Sequence, residues 1–462
     1  MTRSRSILFV EWPLAATILI AIAFTVVYLF NNNYLPFTFF YEPDDLFADW
    51  FNTAYWAYDE GSYDTWTTLY PPLSFAFLRA LTNGVCYPPR GVGADASFGL
   101  AARECDWLSF VWIWGFFFVN IVLTYLLLRK IDRSTALPRT ICVALGWPML
   151  NGLERGNLIL PAFTAFILGF TPLLRSAKLK WLFAGLAVNF KVYLIGAVLA
   201  PLLTRRWRWS ECAILSVILV YIFSYGLMGR GTPLELMANL RNWANLPGGT
   251  PLDLWSATTY EPLYKLLDSE VYPISAIIGS RNVDILSVLI PMLLGSTQAI
   301  ILLAAAAIWL RPEVVPTYRA ITLAVMLALI SSEAGGYTSG LFMLLVMMEP
   351  WRGTGRKVAI ILCYILALPI DIAIDQVTPV VRDTYFRHST TIITAYVKLG
   401  PFIRPFLIQL VAVSLAFVTL RDVWTDIRQQ GWANRRRFRR DVPLLPWVTH
   451  PDAPASGNIA KA

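Results

Sequence analysis

Apolar runs long enough to cross a membrane decide what this chain can fold into. Among them are residues 8–30, 107–128, 181–203, 210–228, 285–310, 357–376 and 401–420. At ~1.5 Å per residue, about 20 helical residues cross ~30 Å of hydrocarbon. Only 15% of the 462 residues are charged, where a soluble chain carries about 25%. The chain reads as an all-α, polytopic membrane protein in which residues 1–420 form a single domain.

Charge and rare residues exclude several classes. The net charge of +8 comes from Lys and Arg in short loops, where they set orientation. The run Arg435–Arg440 (RRRFRR) reads as an anchor on anionic lipid, with no nucleic-acid partner. The two histidines, His388 and His450, sit in no metal-ligand pattern. This argues against a histidine triad or a zinc hydrolase, and neither metal nor cofactor is expected. Cys86 and Cys105 bracket a loop placed outside the membrane and are a disulfide candidate. Cys142, Cys212 and Cys363 read as packing residues. The start MTRSRS followed by an apolar run reads as an uncleaved first helix.

Taken in order, the first helix (8–30) leads to an external loop, 31–106. Residues 46–59 are expected to form an amphipathic helix in the interface, and 71–83 a short helix after Tyr70-Pro71-Pro72. Helices follow at 107–128, 137–152 and 157–174, the last two separated by Glu154-Arg155-Gly156-Asn157. Residues 181–203 either span once or form a re-entrant pair turning at Asn189-Phe190-Lys191. The pair keeps later basic loops inside and spares Lys191 a mid-membrane position costing ~3 kcal/mol or more. The next span is 210–228. An external segment, 229–284, contains TTYEPLYKLL, expected to be interfacial. Helices at 285–310, 319–333, 337–349, 357–376 and 401–420 precede a basic cytoplasmic tail, 421–462. This makes about twelve helical elements with both termini cytoplasmic and no tandem repeat.

On that topology the polar groups near the membrane gather on one side. The stretch Tyr41–Leu73 holds five Asp and two Glu. Glu154, Arg155, Asn157, Lys191 and Glu333 join them, and intramembrane ionisable residues are functional candidates. A carboxylate could deprotonate an acceptor hydroxyl while cations hold a departing lipid phosphate. Asp45 and Asp49 lie four apart and share a helix face. A solvated acidic helix explains the same spacing. Arg155 could pair with Glu154, and Lys191 could snorkel. Tyr70 could fix a joint, and Glu333 and Tyr337 could form a plain turn.

Several motifs occur in a familiar order: Asp45 and Asp49-Trp50, Gly61-Ser62-Tyr63, Tyr70-Pro71-Pro72-Leu73, Arg155-Gly156-Asn157 and Gly185 to Tyr193. Together they resemble the integral-membrane glycosyltransferases of family 87, in the GT-C superfamily, over residues 40–210. The resemblance implies a GT-C-like helix bundle. It also implies an inverting hexosyl transfer, mannosyltransferase-like, from a polyprenyl-phosphate sugar to a glycolipid or glycan acceptor. The reaction would serve cell-envelope polysaccharide biosynthesis at the external face of a bacterial inner membrane. A first-loop aspartate is the implied base, and both Asp45 and Asp49 fit the position. Arg155, Asn157, Lys191, Tyr70, Glu154, Glu333 and Tyr337 are the implied substrate-binding set. Relatives carry a histidine in a late external turn, where this chain has Glu333-Ala-Gly-Gly-Tyr337. The alternatives are a polysaccharide or lipid transporter, or a non-catalytic scaffold on the same fold.

Overall fold

Long helices form the outside of the molecule and short ones the inside. The computed structural model describes residues 2–39, 46–87, 97–244, 259–261, 263, 267, 275, 278–331, 334–376, 379–384, 389–394, 396–432 and 441. The helices in chain order begin with α1 (Thr2–Asn32), α2 (Ala48–Tyr58), α3 (Pro72–Leu81), α4 (Ser97–Ala101), α5 (Trp107–Ile131) and α6 (Ala136–Ala144). Next come α7 (Trp147–Glu154), α8 (Ile159–Phe170), α9 (Ala177–Phe190), α10 (Ile195–Leu203), α11 (Trp207–Met228) and α12 (Pro233–Ala244). The last are α13 (Ser280–Leu310), α14 (Thr317–Ile330), α15 (Ser339–Val346), α16 (Thr354–Leu366) and α17 (Gly400–Gln430).

Five helices (α1 over Val10–Asn32, α5, α11, α13 and α17) are long and apolar enough to cross a membrane. They leave large apolar side chains uncovered, among them Phe24, Phe118, Phe223, Met292 and Phe417. In water such surface costs about 25 cal/mol per Å²; against lipid tails it costs nothing. The short helices behave oppositely. Eight to twelve residues reach only about 12–18 Å, so they need protein around them. Every residue of α15 is buried, as are Phe163 and Phe166 of α8.

Close backbone approach brings the inner helices together. A Cβ on Gly169 would lie 2.9 Å from the Ala184 nitrogen, and one on Gly185 would lie 2.9 Å from the Ser216 carbonyl oxygen. Glycine there lets α8, α9 and α11 pack backbone to backbone. The chain turns extended at Lys191, between α9 and a 3-10 turn (Val192–Leu194) that leads into α10. Lys180 at the start of α9 and Pro201 near the end of α10 line one cavity. The two arms therefore return to the same end of the bundle.

The same cavity is lined by Ile131, Thr171, Arg206 and Thr317. It marks one end of the bundle, called here the basic end. The opposite end carries the loops after α1, α7, α9, α11, α14 and α16.

Several expectations need correction. The helix expected at 137–152 is two helices, α6 and α7. A Cβ on Gly146 would clash with the Cys142 carbonyl, and Pro148 starts a new helix rather than continuing one. The helix expected at 357–376 stops at Leu366, just before Pro369. There follow β1 (Ala373–Gln376), β2 (Val380–Asp383), β3 (Thr390–Ile393) and β4 (Tyr396–Lys398), paired antiparallel as β1 with β4 and β2 with β3. Helix α17 runs ten residues beyond 420, so the tail starts later than expected; Arg435–Arg440 lies outside the described residues. Helix α2 is packed within the protein and does not present a free amphipathic face. Trp50, Phe51, Ala54 and Tyr55 are buried against neighbouring elements, because a disulfide between Cys86 and Cys105 and α3 close over it. The Trp50 indole donates to Ser109 Oγ (2.9 Å), which donates to Asp106 (2.6 Å), which also accepts from Tyr87 (2.9 Å). The stretch TTYEPLYKLL is described only in part; in it the Tyr260 hydroxyl donates to the Phe402 carbonyl.

The polar groups do not lie on one side alone. Towards the basic end, Arg139 donates to Glu11 (2.8 and 2.9 Å) and to the Glu349 carbonyl, while Tyr364 donates to Glu11. Arg319 donates to both Glu349 carboxylate oxygens (2.6 and 2.7 Å) and to Asp422 (2.9 Å). Arg356 joins Glu349 and Asp422. Partners up to 353 residues apart in the chain are tied into one network.

Candidate active site

Opposite the basic end, three separate segments deliver charge to one place. Asp49 sits in the first turn of α2, where the positive helix terminus favours an acid. Its position is fixed by two backbone bonds onto the α7–α8 turn: Phe47 N–H donates to the Glu154 carbonyl (2.8 Å) and Asp49 N–H to the Arg155 carbonyl (3.0 Å). Gly156 makes this docking possible. Its φ is +60°, and a Cβ there would press within 3.2 Å of Phe47 Cα. Phe47 itself has φ 60°, a conformation that costs a bulky residue free energy. The strain sits two residues from the carboxylate it helps to aim.

Both Asp49 oxygens are held. Arg155 Nη2 donates to Oδ1 (2.6 Å), and Asn157 Nδ2 donates to Oδ2 (2.6 Å). Asn157 accepts from the Ile159 N–H through its own Oδ1 (2.8 Å), which fixes which face of the amide meets Asp49. Burial raises the Asp49 pKa, but Arg155, Asn157 and more distant Lys191 outweigh it, and the carboxyl is held below its ordinary value. It stays ionised.

Lys191 is contributed by the break between α9 and α10. Its ammonium lies 4.9 Å from the Tyr70 ring centroid and 5.4 Å from that of Tyr337, within cation–π range. Burial, and secondarily Asp49 and Tyr337, push the Tyr70 phenol well above its usual pKa, so it is a neutral donor. Tyr193 stands beside these two tyrosines, and among the described residues its buried hydroxyl has no hydrogen-bond partner. Among the described residues the group sets one carboxylate, Asp49, against Arg155 and Lys191. Three phenols, Tyr70, Tyr193 and Tyr337, stand beside them.

Asp49, Arg155, Asn157, Lys191, Tyr70 and Tyr337 therefore come together. The Glu154 side chain accepts from Asn151 (3.5 Å), and its charge acts on Lys398. Asp45 and Glu333 lie outside the described residues. Sequence reasoning missed Tyr193 as a lining residue, although it ends the Gly185–Tyr193 motif. It also missed a neighbouring buried set in which Arg404 donates to Asp371 (2.7 Å) and stacks 4.0 Å over Trp147. An arginine inside the apolar run 401–420 was the available signal for that set. Comparison with protein-family models, with curated proteins and with solved structures gave no match.

Proposed function

We propose that this chain is an integral-membrane glycosyltransferase that moves a hexose from a polyprenyl-phosphate donor to a lipid-linked or polysaccharide acceptor, with inversion. The observation that supports this reading best is the meeting of Asp49 with Arg155 and Lys191 at one end of an apolar helix bundle. A lipid-borne phosphate leaving group needs cations at membrane depth. Lys191 and Arg155 supply them and oppose the charge that grows on the phosphate as the glycosidic bond breaks. The acceptor hydroxyl becomes acidic as it bonds to an oxocarbenium-like carbon, so even a weakly basic carboxylate serves as its proton acceptor. Asp49 or Asp45 takes that role. Tyr70, Tyr193 and Tyr337 line the sugar, and Asn157 keeps Asp49 aimed. In this reading the basic end faces the cytoplasm of a bacterial inner membrane and the site faces the periplasm.

A transporter remains the rival, because buried charge occurs at both ends of the bundle. One experiment separates the two. Purified protein is given synthetic polyprenyl-phosphate sugars and a panel of lipid-linked and glycan acceptors, and glycosylated product is read by mass spectrometry. Asp45→Asn and Asp49→Asn should between them identify the base. Full transfer by both variants, or sugar movement across vesicles without transfer, would sink the proposal.

A further inference from the structure

The cavity at the basic end lies far from the proposed active site and plays no part in it. Its volume is about 520 Å³. Ile131, Phe170, Pro201 and Ile321 give it an apolar wall, while Lys180 and Arg206 bring it positive charge. Lys180 is half-buried and Arg206 exposed. Lys180 also feels Lys130, which donates to the Pro172 carbonyl on the same side (2.6 Å). Asp441 offsets part of the charge of Arg206 and Arg208, and the two lysines keep the surroundings positive.

The depth of the cavity identifies its occupant. Trp209 lines it. Nearby, Trp207 at the start of α11 meets Trp309 near the end of α13 edge-on, ring centroids 5.8 Å apart. The Arg205 guanidinium lies 5.5 Å from the Trp309 ring. Tryptophans and arginines at the ends of long apolar helices mark the headgroup level of a bilayer. A cavity at that level with cations on its wet side and an apolar wall fits an anion attached to hydrocarbon. A free phosphate would match the cations but leave the wall against water.

We propose that this cavity seats the phosphate headgroup of an anionic phospholipid, with Lys180 and Arg206 on the phosphate and the upper acyl chain along Ile131, Phe170 and Ile321. The site does not depend on the chain being a glycosyltransferase.

Native mass spectrometry of the full chain in detergent, titrated with phosphatidylglycerol and separately with phosphatidylcholine, reads this directly. The unaltered protein should retain phosphatidylglycerol preferentially. A cation beside anionic lipid is worth a factor of about five, so the double variant Lys180→Ala/Arg206→Ala should bind it roughly 30-fold more weakly. The double variant Arg175→Ala/Lys178→Ala, which removes two exposed cations that do not line the cavity, should lose less than about twofold. If the first double variant does not fold, Lys180→Gln alone should still show about fivefold weaker binding. Unchanged retention in the Lys180 and Arg206 variants overturns the proposal, as does an equal loss in the control. Displacement of phosphatidylglycerol by millimolar inorganic phosphate would make this a free-phosphate site and overturn the lipid assignment. Resistance to displacement supports it.

Discussion

Each end of the bundle buries arginine beside carboxylate, yet the two ends balance charge differently. Towards the basic end, Arg139, Arg319 and Arg356 face Glu11, Glu349 and Asp422, three against three. At the other end, among the described residues, Asp49 faces Arg155 and Lys191. Exposure differs too. The side chains of Arg319 and Glu349 are 2% and 1% exposed, those of Arg155 and Asp49 19% and 17%. The matched network ties helices together around a buried Arg319–Glu349 pair, with Asp422 at its rim 22% exposed. On the proposed reading, the group at the other end takes up the donor phosphate. The distinction explains why buried ion pairs alone are poor markers of activity.

The comparison is tested most severely at Asp49. Asp49→Asn keeps the size and the bond to Arg155 but removes the charge. If Asp49 is the base, sugar transfer should fall by about 10²- to 10⁴-fold, while the melting temperature falls less than on loss of Glu349, since the amide still accepts from Arg155. Next in size comes Glu349→Ala. It strands Arg319 and Arg356 in the interior, which should cost about 3–5 kcal/mol and show as a lower melting temperature and poor yield from detergent. Equal melting temperatures for the two variants would erase the difference between the ends.

Lys191 sharpens the contrast at a smaller scale. Lys191→Met keeps the stem that packs between Tyr70 and Tyr337 and removes the cation. A charged hydrogen bond to phosphate is worth about 1.5–3 kcal/mol, so donor turnover should drop about 10- to 150-fold, with little loss of stability because no matched partner is abandoned. A Lys191→Met protein that unfolds instead would class Lys191 with Arg319.

What the sequence discloses follows the same division. The five long helices are legible because length and hydropathy suffice to define them. The site is largely legible too. Asp49, Arg155, Asn157 and Lys191 stand at breaks between apolar runs, and a charge at such a break has few structural reasons to be there. The network towards the basic end is illegible, because Glu11 and Glu349 sit singly in or beside apolar runs and their partners are 128 and 30 residues away. Only packing reveals the pairing. The strands β1–β4 hide for another reason. Ile370, Ile372 and Ile374 alternate with Asp371, Ala373 and Asp375 at a strand's period, but they follow directly on the apolar run of α16 and merge with it in hydropathy. Helix α2 is ambiguous in kind, since its tryptophans and tyrosines suit an interface and a core equally well.

The smallest expected effect is in the pH dependence. Burial pushes the Asp49 pKa up, and Arg155, Asn157 and Lys191 pull it below 3.8 in sum. A carboxyl depressed by folding adds stability above its unfolded pKa and loses it as pH falls through the folded value. Asp49 therefore contributes no titration between pH 5 and 8, and its contribution vanishes only below about pH 4. Tyr70, whose phenol is pushed above 10, stays neutral across the same window. Melting temperatures of the unaltered protein and Asp49→Asn should thus run parallel from about pH 8 to 5 and converge in acid. Convergence already near pH 6 would mean that Arg155 and Asn157 do not hold the carboxylate, and that its proton affinity is set by burial. A base of that kind would be stronger, and the division between the two ends would then rest on Lys191 alone.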